Sequence, residues 1–259
     1  PEGSVDLVER ITASFSQPMV PLWSLPKLDR VDAPMSVKPE LPGRFLWLGT
    51  DTVAFEGETR LPLATKFEVD VPAGATSVLG QRLEKGFSWA FETARPTVTS
   101  AHPYHKSTGA ALDVTITLVF NTMVDVEKIL KWVELRDDRG RRVDLAPQLA
   151  IVTRDGRDVV LKETKRAEYK PARKLRRDTT YEIVVKKGLI SAEGPLPSLH
   201  RQKFTFKTYE PLRVDKISCH WNDQCPAGYP ITVEFNTELA DQKDKHLISV
   251  ETIPAGLTD

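Results

Sequence analysis

TKFEVDVPAGATSVLG (residues 65–80) and TTYEIVVKKGLISAEG (residues 179–194) are one stretch written twice, at a constant offset of 114 (179 minus 65). The offset pairs Thr65 with Thr179, Phe67 with Tyr181, Val69 with Ile183, Val71 with Val185, Gly74 with Gly188 and Gly80 with Gly194. Just beyond it, FSWAFET (87–93) matches KFTFKT (203–208), with Phe91 over Phe206. Self-similarity at a fixed period is the signature of a repeated structural unit. Within each copy apolar and polar residues alternate. Phe67, Val69 and Val71 stand against Glu68 and Asp70, and Tyr181 and Ile183 stand against Glu182. A period of two puts successive side chains on opposite faces of a strand, so each strand has one apolar and one solvated face. Two such sheets packed face to face make a sandwich.

A second motif occurs three times. Ile11-Thr-Ala-Ser-Phe15 runs into Met19-Val20, Val114 to Phe120-Asn-Thr-Met123-Val124 is its second copy, and Ile231-Thr-Val-Glu-Phe235-Asn-Thr237 is its third. Val53-Ala-Phe55 also aligns with Val159-Val-Leu161 as a middle strand. The repeat is then roughly 105–115 residues, the size of an immunoglobulin-like sandwich. We expect an all-β chain of tandem immunoglobulin-like antiparallel β-sandwich domains with short connector helices. Residues 1–95 form a sandwich lacking its first strand, 96–210 a complete sandwich, and 211–259 the N-terminal half of a third.

Turn chemistry separates the strands: Pro72-Ala-Gly74, Asp137-Asp-Arg-Gly140 and Pro226-Ala-Gly228. Asp155-Gly156 between Ile151-Val152 and Val159-Val160 predicts a hairpin. Connector helices are expected at 125–135, with Asp125 as N-cap and Val126, Ile129, Leu130 and Val133 on one side, and at 241–248. The basic residues between Lys165 and Arg177 read as a solvated hairpin loop, with an anionic-surface contact as the alternative.

With 36 basic and 36 acidic residues the net charge is zero, which argues against nucleic acid as a partner. No apolar run approaches the ~20 residues of a membrane-spanning helix. Beginning at Pro1, the chain is expected to be a processed, trimmed or excised piece of a longer protein. No phosphate-binding glycine loop, nucleophile elbow or zinc-protease motif occurs, so no catalytic residue, cofactor or metal is expected. His102-Pro-Tyr-His105 lacks a neighbouring carboxylate or cysteine and reads as exposed loop. Cys219 and Cys225 flank a short polar loop and read as a small-loop disulfide, which implies an oxidising compartment. The alternative, a metal site recruiting His220, does not fit zinc-module spacing. Trp221 inside that loop is a candidate contact point, or else packs against the disulfide. Trp47 and Trp89 sit in strand alternation and read as core.

RFLWLGTDTVAFEGETRLPLATKFEVDVPAGATSVLG (44–80), SWAFETARPTV (88–98) and FSQPMVPL (15–22) resemble the N-terminal region of bacterial alpha-2-macroglobulin-like proteins. They also resemble bacterial Ig-like domains of the S-layer-associated (SbsA-type) kind. The resemblance implies a large periplasmic or cell-surface parent, often a lipoprotein in Gram-negative bacteria, that acts as a broad protease trap in envelope defence. The family's bait region and thioester cannot be placed here, because Cys219 is followed by His-Trp-Asn and Cys225 by Pro-Ala-Gly. No reactive residue is carried over. The partners implied are the remainder of the parent chain and the proteases it traps. The competing expectations are an extracellular binding module for a cell-wall polymer, glycan or partner protein, and an accessory domain of a secreted enzyme.

Overall fold

A computed structural model describes residues 3–5, 10–21, 32–219 and 230–236. In chain order the strands begin with β1 (Gly3–Val5), β2 (Arg10–Ser14), β3 (Ser36–Lys38), β4 (Gly43–Trp47), β5 (Thr52–Gly57), β6 (Lys66–Val71) and β7 (Phe87–Thr93). There follow β8 (Val98–His102), β9 (Ser107–Ala110), β10 (Ile116–Asp125), β11 (Val133–Asp137), β12 (Arg142–Val143) and β13 (Leu145–Gln148). The series ends with β14 (Ala150–Arg154), β15 (Arg157–Leu161), β16 (Glu163–Pro171), β17 (Thr180–Val185), β18 (Gln202–Thr208), β19 (Val214–Ser218) and β20 (Thr232–Phe235). The chain is all-β. Its contacts divide it into a compact unit Pro1–Thr208 and a second, Tyr209–Asp259.

The first compact unit holds two cores. Sheets β1-β7-β6-β3 and β2-β5-β4 enclose Ile11, Val53, Phe55, Phe67, Val69 and Phe91. Sheets β12-β11-β17-β18-β9 and β13-β16-β10-β8 enclose Ile116, Leu118, Phe120, Tyr169, Ile183 and Phe206. The repeated aromatic pair sits alike in both. Phe67 stacks on Phe91 at 5.3 Å, and Tyr181 on Phe206 at 5.6 Å, a near-parallel contact that adds to the area each ring buries. Below each pair a threonine closes the sheet. Thr93 Oγ1 accepts the Thr65 N–H and donates to Pro62 O, while Thr208 Oγ1 accepts the Thr179 N–H and donates to Arg176 O.

The Asp155-Gly156 hairpin forms as expected, with both residues at positive φ joining β14 to β15. Three expectations change. First, the middle strand of the second sandwich is β16, not Val159–Leu161. Ile116 faces Tyr169 and Leu118 faces Ala167, just as Ile11 faces Phe55 and Ala13 faces Val53. Val159 and Val160 lie exposed on the β14–β15 hairpin instead. Second, the basic stretch is therefore strand in its first half. Ala167 and Tyr169 point inward, Lys165, Arg166 and Lys170 outward, and only the part beyond Pro171 is loop. Third, the helix expected over 125–135 shrinks to a 3-10 turn, Lys128–Trp132. Asp125 ends β10, and its Oδ1 accepts the N–H groups of Glu127 and Lys128. Val133 already belongs to β11, where it pairs with Val185. The helix expected at 241–248 lies outside the described residues.

In the second compact unit β19 pairs antiparallel with β20. Asn236 Oδ1 accepts the Arg213 N–H, and its Nδ2 donates to Pro211 O.

Candidate functional site

The densest polar constellation in the described residues that ties one core to the other is built around Glu193. It lies in the loop between β17 and β18, one residue before Gly194. Its side chain is 10 % exposed. Oε1 accepts the Met123 N–H at 2.7 Å, from β10 of the same sandwich. Oε2 accepts the Leu63 N–H at 3.2 Å and pairs with Arg60 Nη1 at 2.8 Å, both from the other sandwich. Burial pushes the carboxyl up, but the Arg60 hydrogen bond and the two backbone amides outweigh it, and the group is held below its ordinary range. A carboxylate accepting from two backbone amides and a guanidinium makes charge-assisted bonds, stronger than neutral ones.

Around it the two backbones touch. Leu196 N–H donates to Ala64 O at 2.8 Å, and Arg95 Nη1 donates to Pro197 O at 3.1 Å. Arg95 is itself held by Glu92 at 2.8 Å. A Cβ on Gly194 would run into Thr65 Oγ1 and the carbonyl oxygens of Ala64 and Leu63, so only glycine fits. Asn121 fixes the chain that crosses between the sandwiches. Its Oδ1 accepts the Thr97 N–H and its Nδ2 donates to Arg95 O, each at 2.9 Å. Asn236 makes the same pair of bonds at the start of the second compact unit, which gives the Phe-Asn-Thr repeat a structural meaning.

A family model for the bacterial Ig-like domain matches residues 92–208. That segment is a bacterial Ig-like domain. An alpha-2-macroglobulin homolog from Nostoc sp. is 24% identical over 279 aligned residues, covering 100% of this chain and 15% of that protein. The likeness read from residues 15–22, 44–80 and 88–98 thus extends along the whole chain, and the chain spans about 15% of the length of the curated relative it matches. Among solved structures, L,D-transpeptidase 3 from Mycobacterium tuberculosis is 18% identical, with 46% of this chain and 41% of that chain covered and a TM-score of 0.26. The N-terminal part of the bacterial S-layer protein SbsC is 12% identical, with 79% and 42% covered and a TM-score of 0.24. At those scores neither likeness carries an argument.

The residues singled out from the sequence fall elsewhere. Cys219 is described, whereas Cys225, Trp221 and His220 lie outside the described residues. His105 Nδ1 accepts the Thr205 N–H of β18, and its ring meets Phe204 edge-on, so in the Ig-like domain it serves the sheet edge. His102 lies edge-on to Tyr104. Trp47 is buried, and Trp89 is half-buried against the first core. Among the described residues no group of three or more metal-ligating side chains gathers, and no helix is long and apolar enough to cross a membrane. Sequence reasoning passed over Glu193. The available signal was the repeat itself: the counterpart of Glu193 is Leu79, and a carboxylate standing where the other copy has an exposed leucine marks a position with a new partner.

Proposed function

We propose that the chain is a non-enzymatic scaffold segment of a bacterial alpha-2-macroglobulin-like, broad-spectrum protease inhibitor of the cell envelope. Its task is to hold tandem Ig-like domains at a set spacing in the N-terminal arm of that protein. The observation that carries this reading is the Glu193 joint. A nearly buried carboxylate that bridges two cores, a glycine that only close backbone approach requires, and an asparagine bracing the connecting chain all serve position rather than chemistry. Inter-domain contacts of this kind oppose the free relative motion that separate domains otherwise have. The proteases trapped by the parent are partners of the whole protein, not of this segment. An extracytoplasmic location and a Cys219–Cys225 disulfide belong to the same reading.

The test compares the isolated chain with its full-length parent. The parent should inhibit proteases of more than one class. The isolated chain should inhibit none. Protease inhibition by the isolated chain, or none by the parent, would sink the reading. Intact mass after thiol alkylation without reductant, on protein from an oxidising compartment, checks the location: two blocked cysteines are expected, and two alkylated ones would remove its support.

A further inference from the structure

In the Ig-like domain the edge of β10 turned away from β16 is covered by β8. Thr117 pairs with His102, Leu118 with Ala101, Val119 with Ser100 and Phe120 with Val98. Val98 and Ala101 are buried by that pairing. β2 is the counterpart of β10, because each faces its inner neighbour through matched pairs, Ile11 to Phe55 and Ile116 to Tyr169. Thr12, Ala13, Ser14 and Phe15 therefore stand where Thr117, Leu118, Val119 and Phe120 stand in the second sandwich. Among the described residues no strand pairs with that edge of β2. In its place is a groove of about 680 Å³. One wall is those same four residues, and the other includes Phe87 and Trp89 of β7.

The walls suit an extended peptide. Phe15 N–H bonds to Asp51 O on the β5 side. Strand alternation then turns the N–H groups of Thr12 and Ser14 to the groove side. Across the groove, Phe87 occupies the position of Gln202, since they face Val71 and Val185 respectively. In the Ig-like domain the Gln202 carboxamide exchanges two hydrogen bonds with the backbone of Val98 in β8, at 2.8 and 2.9 Å. Phe87 offers instead a ring that is 60 % exposed and tilted against Trp89 at 5.7 Å. A row of backbone groups on one side and apolar rings on the other is the chemistry that receives an added β-strand.

We propose that this groove is the acceptor for an extended, inwardly apolar strand, and that the strand is the segment of the full-length polypeptide immediately ahead of Pro1. Connectivity selects that occupant. β9 pairs in parallel with β18 through Ser107 and Phe206, as β1 does with β7 through Gly3 and Phe91. β1 is thus the counterpart of β9. In the second sandwich β8 comes just before β9, joined by residues 103–106. The strand that completes the first sandwich in the same way precedes β1. The curated relative, of which this chain spans 15%, is long enough to hold it.

Hydrogen exchange measured on the 259-residue chain and on the natural polypeptide that includes the residues encoded ahead of Pro1 tests the assignment. The Thr12 and Ser14 amides should exchange at least about tenfold slower in the longer protein, while core amides such as Val53 and Phe91 keep their rates. Trp89 emission should move to the blue as the groove fills. Equal rates at Thr12 and Ser14 in the two proteins would overturn the proposal, and so would a uniform slowing of every amide in the first sandwich. A third protein carries a copy of residues 97–106 ahead of Pro1. If that copy protects Thr12 and Ser14 while the natural upstream residues do not, the groove accepts a strand but the assignment of its occupant fails.

Discussion

Replacing Glu193 with alanine removes the acceptor of two backbone amides and the partner of one guanidinium at a single stroke. Leu63 and Met123 are half-buried, so water reaches their N–H groups in part, and each orphaned donor costs near the low end of the usual range, ~1 kcal/mol. Arg60 is 45 % exposed and turns out to solvent, so its loss adds only about 0.5 kcal/mol. The sum is about 2–3 kcal/mol. Glu193→Gln keeps one carbonyl oxygen and should lose roughly half as much. Urea titrations of the 259-residue chain, read by fluorescence and by exchange at Leu63 and Met123, would separate these values. The effect should also depend on pH. The folded carboxyl is held below its unfolded value, so its stabilisation is present above the unfolded value and disappears as pH falls through the folded one. The gap between wild type and Glu193→Ala should therefore close in acid. A variant with the wild-type midpoint at neutral pH and unchanged exchange at both amides would refute the account of the joint.

Gly194→Ala should destabilise by ~1–3 kcal/mol or more through overpacking between the sandwiches. Gly80→Ala, at φ +80° with open space around it, should cost only the ~1–2 kcal/mol of a left-handed backbone; equal thermal shifts for the two would show that the contact is not tight. Asn121→Ala should cost about 1–2 kcal/mol and speed exchange at Thr97, whose N–H loses its acceptor, and an unchanged Thr97 rate would count against the brace. On the outer face of the second sandwich, Glu134 is bonded by Lys186 at 2.5 Å and by Arg136 at 2.6 Å, which lowers its carboxyl from 4.5 to about 2. That contribution is complete above the unfolded value and is lost between about pH 4.5 and about pH 2. With both partners more than 40 % exposed it amounts to about 1–2 kcal/mol. The stability of Glu134→Gln should fall less steeply than wild type over that window, and parallel acid limbs would disprove the assignment.

What could be read in advance follows from which interactions are local. The alternation in 66–71 and 180–185 and the Asp155-Gly156 turn are set by neighbours in sequence, and each formed where expected. β16 was hidden because its two inward residues, Ala167 and Tyr169, are set among Lys165, Arg166 and Lys170, whose long stems suit a solvated face while their charges suggest a loop. The spacing of Val126, Ile129 and Val133 satisfies a helix as well as it satisfies a turn followed by a strand. The tie is broken by pairing with β17, a contact about fifty residues away in sequence. The repeat marks Glu193 as a departure from Leu79, but its partner was illegible for the same reason: nothing near it in sequence says that Leu63 will be its neighbour.

The repeat also supplies a way to separate what builds a sandwich from what connects one. Positions that match between copies, Phe67 with Tyr181, Phe91 with Phe206 and Thr93 with Thr208, make the same contacts in both cores. Two positions that differ are where a sandwich meets something outside its own core. Leu79 is 68 % exposed where Glu193 bridges to the other sandwich, and Phe87 is open where Gln202 holds β8. Gly80 and Gly194 match in identity but not in use, the first serving a left-handed turn and the second a backbone contact. The backbone around these sites is nonetheless common to both copies: Val78 N–H donates to Pro18 O as Ala192 N–H donates to Met123 O. In the second sandwich that end of the fold receives the chain and the contacts of its predecessor. The same end of the first sandwich presents Leu79, Val78 and the groove beside β2. Val78, Leu79 and Phe87 are thus exposed at the end of the first sandwich that corresponds to the docked end of the second.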